Sequence, residues 1–134
     1  MVELHGWVTI RETYKAAFDE EEHVDLLVKK IRDEIAKLSW FKPEIKAQNG
    51  EYFMDFSLFA NRINPQIQEV FGLYQMIGKI AEGSYGLIYL YNDEDVSGKE
   101  NQFQVFSLAR GVICEHCDPF LSPVIPTIED KEEP

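Results

Sequence analysis

Hydrophobic and polar residues alternate along several stretches of the chain, as they do in β-strands that bury one face. The predicted strands cover residues 2–12, 44–48, 51–60, the opening part of 83–95 and about 102–108. The stretch 83–95, GSYGLIYLYNDED, is apolar on both faces and predicts a buried strand that ends in a cluster of acids. The alternation therefore predicts a sheet of about five strands.

Two other stretches repeat apolar residues every three or four positions, which predicts amphipathic helices. The first stripe covers residues 24–38 and follows Asp19, which is a suitable N-terminal cap. The second stripe covers residues 67–81 and begins at Asn64-Pro65, where asparagine caps the helix and proline fits the first turn. Gly83 is the predicted stop of this second helix.

The element order is therefore β-α-β-β-α-β-β, with a tight hairpin at Asn49-Gly50. Each helix must bury its stripe, which predicts a two-layer α+β fold: a mostly antiparallel sheet of about five strands with two amphipathic helices on one face. The two β-α-β halves indicate a ferredoxin-like arrangement with one extra strand. We expect one domain over residues 1–134, with a frayed acidic tail at 127–134.

Composition and charge narrow the classes of partner. The chain is 45% hydrophobic and has 13 Lys and Arg against 24 Asp and Glu, a net charge of −11. Nucleic acid and anionic membranes are therefore not expected as partners. Neither a signal peptide nor an apolar run of about 20 residues is recognisable, so a cytoplasmic location is expected. The charge serves solubility or attracts a basic protein partner.

The CEHC motif has the spacing of a metal or redox site. Cys114 and Cys117 can chelate zinc with His116, or exchange a disulfide. A structural zinc needs four ligands, however, and with no second such motif His5 or His23 would have to complete the set. The motif also does not begin a helix, as a thioredoxin-like pair would. The sequence favours two ordinary reduced cysteines, with a small metal-binding or redox module as the alternative.

Catalytic motifs are not recognisable in the sequence. Ser84, Ser107, His5 and His116 supply hydroxyl and imidazole groups, but no serine lies in a GxSxG context. GSYG matches neither of the glycine-rich loops that bind phosphates. The sequence therefore does not favour an enzyme.

Aromatic and acidic residues give the candidates for protein recognition. Trp7 and Tyr85 lie beside glycines on predicted strands, and they serve either as core residues or as anchors for a partner. The acids at 93–95 and Glu100 are either a solvated loop or contacts to Lys and Arg of a partner. These alternatives remain open at the level of the residues.

Four segments, read in order, resemble the immunity protein 7 family of bacterial polymorphic toxin systems. They are HGWVTIRET, GSYGLIYLYNDED, NQFQVFSLARG and DPFLSP, and they extend from about His5 to Pro123. The resemblance implies a cytosolic antidote that is encoded beside a toxin and neutralises it by direct binding. It also implies an α+β domain without catalytic residues and without a cofactor.

The family-like positions comprise glycines, two aromatic residues and several polar groups. They are His5, Gly6, Trp7, Gly83, Ser84, Tyr85, Gly86, Asp93, Arg110, Gly111, Asp118 and Pro119. The CEHC motif is not part of the family pattern. The match alone does not separate residues that touch a toxin from residues that stabilise the fold.

Both lines of reasoning lead to one hypothesis, an acidic antidote that blocks a basic toxin domain such as a nuclease. Acids would pair with toxin Lys and Arg, and aromatic neighbours would form the desolvated centre of the interface. The residues predicted to bind the toxin are Trp7, Tyr85, Asp93, Glu94, Asp95 and Glu100.

Overall fold

The computed structural model describes residues 1–13, 21–39 and 41–131, and within these ranges the chain forms six strands and three helices. The strands are β1 (Val2–Ile10), β2 (Glu44–Gln48), β3 (Glu51–Ala60), β4 (Tyr85–Asn92), β5 (Phe103–Ala109) and β6 (Val112–Cys117). The helices are α1 (Glu21–Ala36), α2 (Pro65–Ile80) and the single turn α3 (Val124–Thr127). None of these helices is long and apolar enough to cross a membrane.

All six strands form one sheet in the order β2-β3-β1-β4-β5-β6, and every neighbouring pair is antiparallel. The segment from β1 to β4 has the connectivity and strand order of the ferredoxin-like β-α-β-β-α-β unit. The α+β class is therefore confirmed. The expected number of additional strands was wrong, because both β5 and β6 extend the unit beyond β4.

The strand that the sequence analysis missed, β6, follows a two-residue turn that is hard to recognise. Arg110 and Gly111 both have positive φ, 50° and 75°, which is the conformation of a type I′ hairpin turn. Gly111 suits this turn, but arginine is rarely found at its first position. Val112 and Ile113 after the turn do favour a strand. The CEHC motif that follows them indicated metal or redox chemistry instead of secondary structure.

The even-numbered residues of β1, β3 and β4 lie on the face of the sheet that the helices cover. The register aligns Leu4 with Leu58 and Leu90 across three strands. Ile31 of α1 and Ile77 of α2 are buried in the same hydrophobic cluster. We call this side the covered face and the opposite side the open face.

Strand β4 is fully buried only on the covered face. Ile88 and Leu90 are buried, whereas Leu87 and Tyr89 on the open face are half-buried and Tyr85 is exposed. The prediction of a strand buried on both faces was therefore wrong for the open face. Within the described residues, no helix covers the apolar side chains on the open face.

The predicted start of α2 is confirmed and its predicted stop is not. The Asn64 side chain accepts a hydrogen bond from the Ile67 amide at 3.0 Å, and Pro65 is the first helical residue. The helix ends at Ile80, and Gly83 lies beyond the end without positive φ. The predicted cap of α1, Asp19, lies outside the described residues.

The segment after β6, residues 118–131, crosses back over the open face, and we call it the strap. The Phe103 amide donates to Ser122 Oγ at 2.8 Å, and the Asn101 side chain exchanges two hydrogen bonds with the Ile125 backbone. Phe103 and Val105 point to the open face and are nevertheless buried. The strap therefore covers the β5 end of the open face. The predicted frayed tail lies partly outside the described residues.

Candidate functional site

The uncovered part of the open face presents large aromatic side chains to solvent. Trp7 on β1 is 40% exposed and Tyr85 on β4 is 43% exposed. Their rings meet edge to face, with centroids 6.0 Å apart. Phe59 on β3 is 61% exposed and lies edge to face with His5. The structure thus brings together the two aromatic residues predicted as anchors.

Two depressions adjoin one another on this face because both are lined by His5 and Tyr89. One has a volume of about 420 Å³ and extends toward Trp7 and Asp55. The other has a volume of about 350 Å³ and lies between the sheet and the strap, where Phe120 forms part of its wall. Concave apolar surfaces of this kind can receive side chains of a partner.

The centre of the open face carries a hydrogen-bonded polar row. His5 Nδ1 lies 2.8 Å from Ser57 Oγ, and His5 Nε2 lies 2.5 Å from Glu3 Oε2. This order of groups resembles a hydrolytic triad, but such a site also needs N–H donors directed at the reacting oxygen. Backbone N–H groups in a sheet point sideways to neighbouring strands and not out of the face. The row is therefore a polar patch on the open face to which the sheet backbone directs no N–H donors.

The two cysteines of the CEHC motif lie on opposite faces of β6. Cys114 shares the open face with His116, and the His116 ring accepts from or donates to Ser107 Oγ at 2.7 Å. Cys117, three residues further along the strand, lies on the covered side. Both thiols are free and exposed. In this strand they cannot chelate one ion together, and the described residues contain no cluster suited to a metal.

Within the acidic turn, Asp93–Asp95, the carboxylates make several hydrogen bonds and ion pairs inside the molecule. Asp93 Oδ1 accepts a hydrogen bond from the Met1 amino group at 2.7 Å, and a Glu94 oxygen lies 4.0 Å from that nitrogen. Asp95 Oδ2 accepts from the Ser97 amide, the Ser97 hydroxyl and the Lys99 amide. These bonds, above all the one from the Ser97 hydroxyl, lower the pKa of Asp95.

Glu94 and Glu100 are the two predicted contact acids that remain available to a partner. The Glu94 side chain is mostly exposed, and among the described residues its ion-pair partner is the Met1 amine at 4.0 Å. Glu100 is exposed and, among the described residues, makes no hydrogen bond or ion pair.

The acidic turn and the aromatic pair lie at opposite ends of β4. Tyr85 begins the strand and Asp93 follows its end, so about 26 Å of extended chain separates them. They do not form one compact patch. A partner that touches both would have to extend along the whole open face.

Several family-like residues fix the backbone of the strands that carry Trp7 and Tyr85. Gly6 lies on the covered face, where a Cβ atom would come within 2.5 Å of the Phe56 ring and of the Tyr74 hydroxyl oxygen. The buried Tyr74 hydroxyl donates to the carbonyl oxygens of Trp7 and Leu87 at 3.3 and 3.1 Å. Burial raises the pKa of Tyr74 far above its ordinary value, so the hydroxyl stays a donor.

The residues before Tyr85 have a similar structural role. The buried Ser84 hydroxyl contacts both the amide and the carbonyl of Arg11. Gly83 and Gly86 leave no room for a side chain, because backbone atoms of Thr13 and of β1 lie directly against them. The glycine-rich segment thus allows close packing against the chain at the end of β1, which fixes Tyr85 beside Trp7.

The strap presents two exposed apolar residues that the sequence analysis did not single out, Phe120 and Leu121. The Asp118 carboxylate accepts hydrogen bonds from the Phe120 and Leu121 amides, at 3.1 and 2.9 Å. Phe120 is 79% exposed and Pro119 beside it is also exposed. The family-like DPFLSP segment contained the signal, since an aspartate two residues before an apolar pair predicts a turn that displays it.

Comparison with known proteins agrees with the sequence resemblance. Residues 1–130 match the family model described as Immunity protein 7. No curated protein and no solved structure matches the chain. Because the match covers nearly all of the 134 residues, the chain belongs to the immunity protein 7 family.

Proposed function

We propose that this protein is a cytoplasmic immunity protein that neutralises a cognate toxin of a polymorphic or contact-dependent system by binding it directly. Family membership supports the antidote role. The observation that supports the mode of action is the open face, where Trp7 and Tyr85 are exposed and Trp7 lines one of two adjoining depressions. Large aromatic residues in such surroundings are typical centres of protein interfaces.

The aromatic pair is the proposed anchor of the complex. Trp7 and Tyr85 already support each other edge to face, and Tyr74 fixes the backbone of Trp7 from below. A preorganised anchor loses little side-chain entropy when a partner covers it. Phe59 and Phe120 extend the apolar surface on either side of the polar row.

Charge supports a basic partner, such as a nuclease domain whose active site must hold phosphate. The chain carries a net charge of −11, and Glu94 and Glu100 are acids that a partner can reach. The negative electrostatic field of such a chain accelerates association and selects partners of opposite charge. Asp93 and Asp95 contribute to the field while they hold the acidic turn in place.

Blocking by direct contact requires neither catalysis nor a cofactor from this chain. Backbone N–H groups of the sheet do not point toward the polar row, and Cys114 and Cys117 lie on opposite faces of β6. A metal or redox role of Cys114 and Cys117 therefore has no support in the geometry of β6.

Co-expression with the product of the neighbouring gene tests the proposal. We expect the toxin domain, inactivated by substitution in its own active site, to co-purify with this protein in a 1:1 complex. Active toxin should stop growth alone and permit it when this protein is present. The dissociation constant should rise with salt, because screening weakens the attraction between opposite charges.

The control is an unrelated immunity protein of similar acidity in the same assay. Rescue by that protein as well would show that charge alone suffices and would contradict a specific interface. Absence of binding to the neighbouring product, with both proteins folded, would contradict the proposed function.

A further inference from the structure

We infer that the outer edge of β6 binds an extended segment of the toxin by main-chain hydrogen bonds, as an added strand of the sheet. The inference rests on the proposed function and adds a mode of binding to it. β6 pairs with β5 on one side only and ends the sheet on the other. An open strand edge is a template for pairing with another chain.

The hairpin register identifies the backbone groups that face outward. Ala109 and Val112 flank the type I′ turn and form its hydrogen-bonded pair. Because bonded and non-bonded pairs alternate in antiparallel strands, the N–H and C=O groups of Ile113, Glu115 and Cys117 point away from β5. No hydrogen bond to these groups occurs within residues 1–13, 21–39 and 41–131.

The two edges of the sheet differ in the features that discourage pairing. At the β2 edge only Ile45 and Ala47 direct backbone groups outward, and Lys46 pairs with Asp55 at 3.5 Å. Lysine and short length are common protections of a strand edge. β6 is longer and contains no lysine, arginine or proline. A lysine from outside the strand, Lys99, pairs with the Glu115 side chain. The outward backbone groups of β6 are nevertheless more numerous and lack a proline or lysine within the strand, so the β6 edge is the less protected one.

Charge favours a basic segment over a second copy of this chain. Two copies, each with a net charge of −11, repel one another. The Glu115 carboxylate already accepts a hydrogen bond from Lys99 Nζ at 2.5 Å, so the preference for a basic segment rests on the charge of the whole chain and not on this one side chain. A toxin strand at this edge would adjoin Cys114 and His116 on the open face, so one toxin can contact both surfaces.

Paired substitutions at Glu115 separate main-chain from side-chain binding. Glu115→Pro removes an outward N–H group and leaves the bonds to β5. Both Glu115→Pro and Glu115→Ala remove the carboxylate and its ion pair with Lys99, so the alanine variant isolates that shared loss. We expect the proline variant to weaken binding of the inactivated neighbouring toxin domain about tenfold or more, by calorimetric titration. The alanine variant should weaken it less than about threefold.

Ala47→Pro is the matched control, since it removes an outward N–H group from the other edge. It should leave affinity unchanged, and circular dichroism should show that all three variants are folded. A measurement on the unmodified protein avoids any folding defect. Amide exchange at Ile113, Glu115 and Cys117 should slow in the complex, because these amides become hydrogen-bonded only there.

Each contrary outcome overturns the inference in a recognisable way. Equal affinity of the proline variant and the unmodified protein, or unchanged exchange at the three amides, would exclude strand addition. Equal losses from proline and alanine would assign the effect to the carboxylate. A dimer in sedimentation that Glu115→Pro dissolves would assign the edge to a second copy. Failure of the unmodified protein to bind would instead contradict the proposed function itself.

Discussion

The two faces of the sheet are built from the same strands and differ in what covers them. On the covered face, Leu4, Val8 and Ile88 are completely buried beneath α1 and α2. On the open face, Trp7 and Tyr85 occupy the alternate positions of β1 and β4 and remain exposed. Apolar residues therefore stabilise the fold on one face and are available to a partner on the other. Hydrophobicity alone does not distinguish these roles.

The largest expected effect is on the covered face. Ile88→Ala should lower the free energy of unfolding by about 2–5 kcal/mol, since it removes three carbons from a fully packed site. Leu87→Ala, one residue earlier and half-buried on the open face, should lower it by about 1 kcal/mol. Urea denaturation of both variants measures the difference. Equal losses would mean that the open face is packed as tightly as the covered face.

On the open face the expected effect is on binding. Trp7→Ala should weaken toxin binding about thirtyfold or more, which is the loss of about 2 kcal/mol expected at a hot spot. Its effect on unfolding should be about 1 kcal/mol or less, because the side chain is already 40% exposed. Titration of the folded variant with the inactivated toxin domain gives the affinity.

Leu26→Ala is the matched control for this prediction. Leu26 is a large apolar residue on α1 that is 60% exposed, but it lies on the helical layer. It should leave the affinity unchanged. A loss comparable to that of Trp7→Ala would place the toxin on the helices and contradict the assignment of the open face.

Alternation in the sequence predicted which residues share a face. The observed burial of β1 and β3 follows this alternation, since Leu4, Gly6, Val8, Ile10, Met54, Phe56 and Leu58 are buried and the residues between them in each strand are not. Alternation could not show which face of β4 the helices cover, because Tyr89 and Leu90 are both apolar. That choice depends on where α1 and α2 pack, which is a property of the tertiary structure.

Contacts between residues far apart in the sequence explain the remaining differences between expectation and structure. Gly83 was expected to stop a helix, but its position against Thr13 depends on a contact between segments about 70 residues apart. The pairing of Asp93 with the Met1 amine likewise joins the two ends of antiparallel strands. The composition of the acidic turn revealed its charge, whereas its internal hydrogen bonds became evident only in three dimensions.

A smaller effect on binding kinetics is expected at Glu94 of the acidic turn and at Glu100. Glu94→Gln combined with Glu100→Gln should lower the association rate by about threefold at low salt, since both acids act through the long-range field. The dissociation rate should change little, and the difference should disappear as salt rises. Stopped-flow mixing at several salt concentrations measures both rates.

Asp33→Asn provides the comparison for these charges. Asp33 is an exposed acid on α1, on the opposite layer from the open face. Its removal should slow association less than either single substitution at the turn. A large change in dissociation rate for Glu94→Gln or Glu100→Gln would show that the turn belongs to the core of the interface.

The smallest expected effect separates structural from binding acids within the turn. Asp95 has a pKa below its ordinary value of 3.8 because of hydrogen bonds from Ser97 and Lys99. A group whose pKa is lower in the folded state stabilises the fold above its unfolded pKa, and this stabilisation is lost as pH falls through the folded pKa. Asp95→Asn should therefore lower Tm slightly at pH 7 and leave toxin affinity unchanged.

Thermal unfolding from pH 7 to pH 2 checks the sign of this effect. The Tm values of Asp95→Asn and the unmodified protein should converge at the acid end, where the carboxyl group is protonated in both states. A difference that persists there would assign the stabilisation to hydrogen-bond geometry rather than charge. If the substitution instead weakened binding at constant Tm, Asp95 would be a contact residue. The contrast between an anchoring open face and an acidic turn that only attracts would then be wrong.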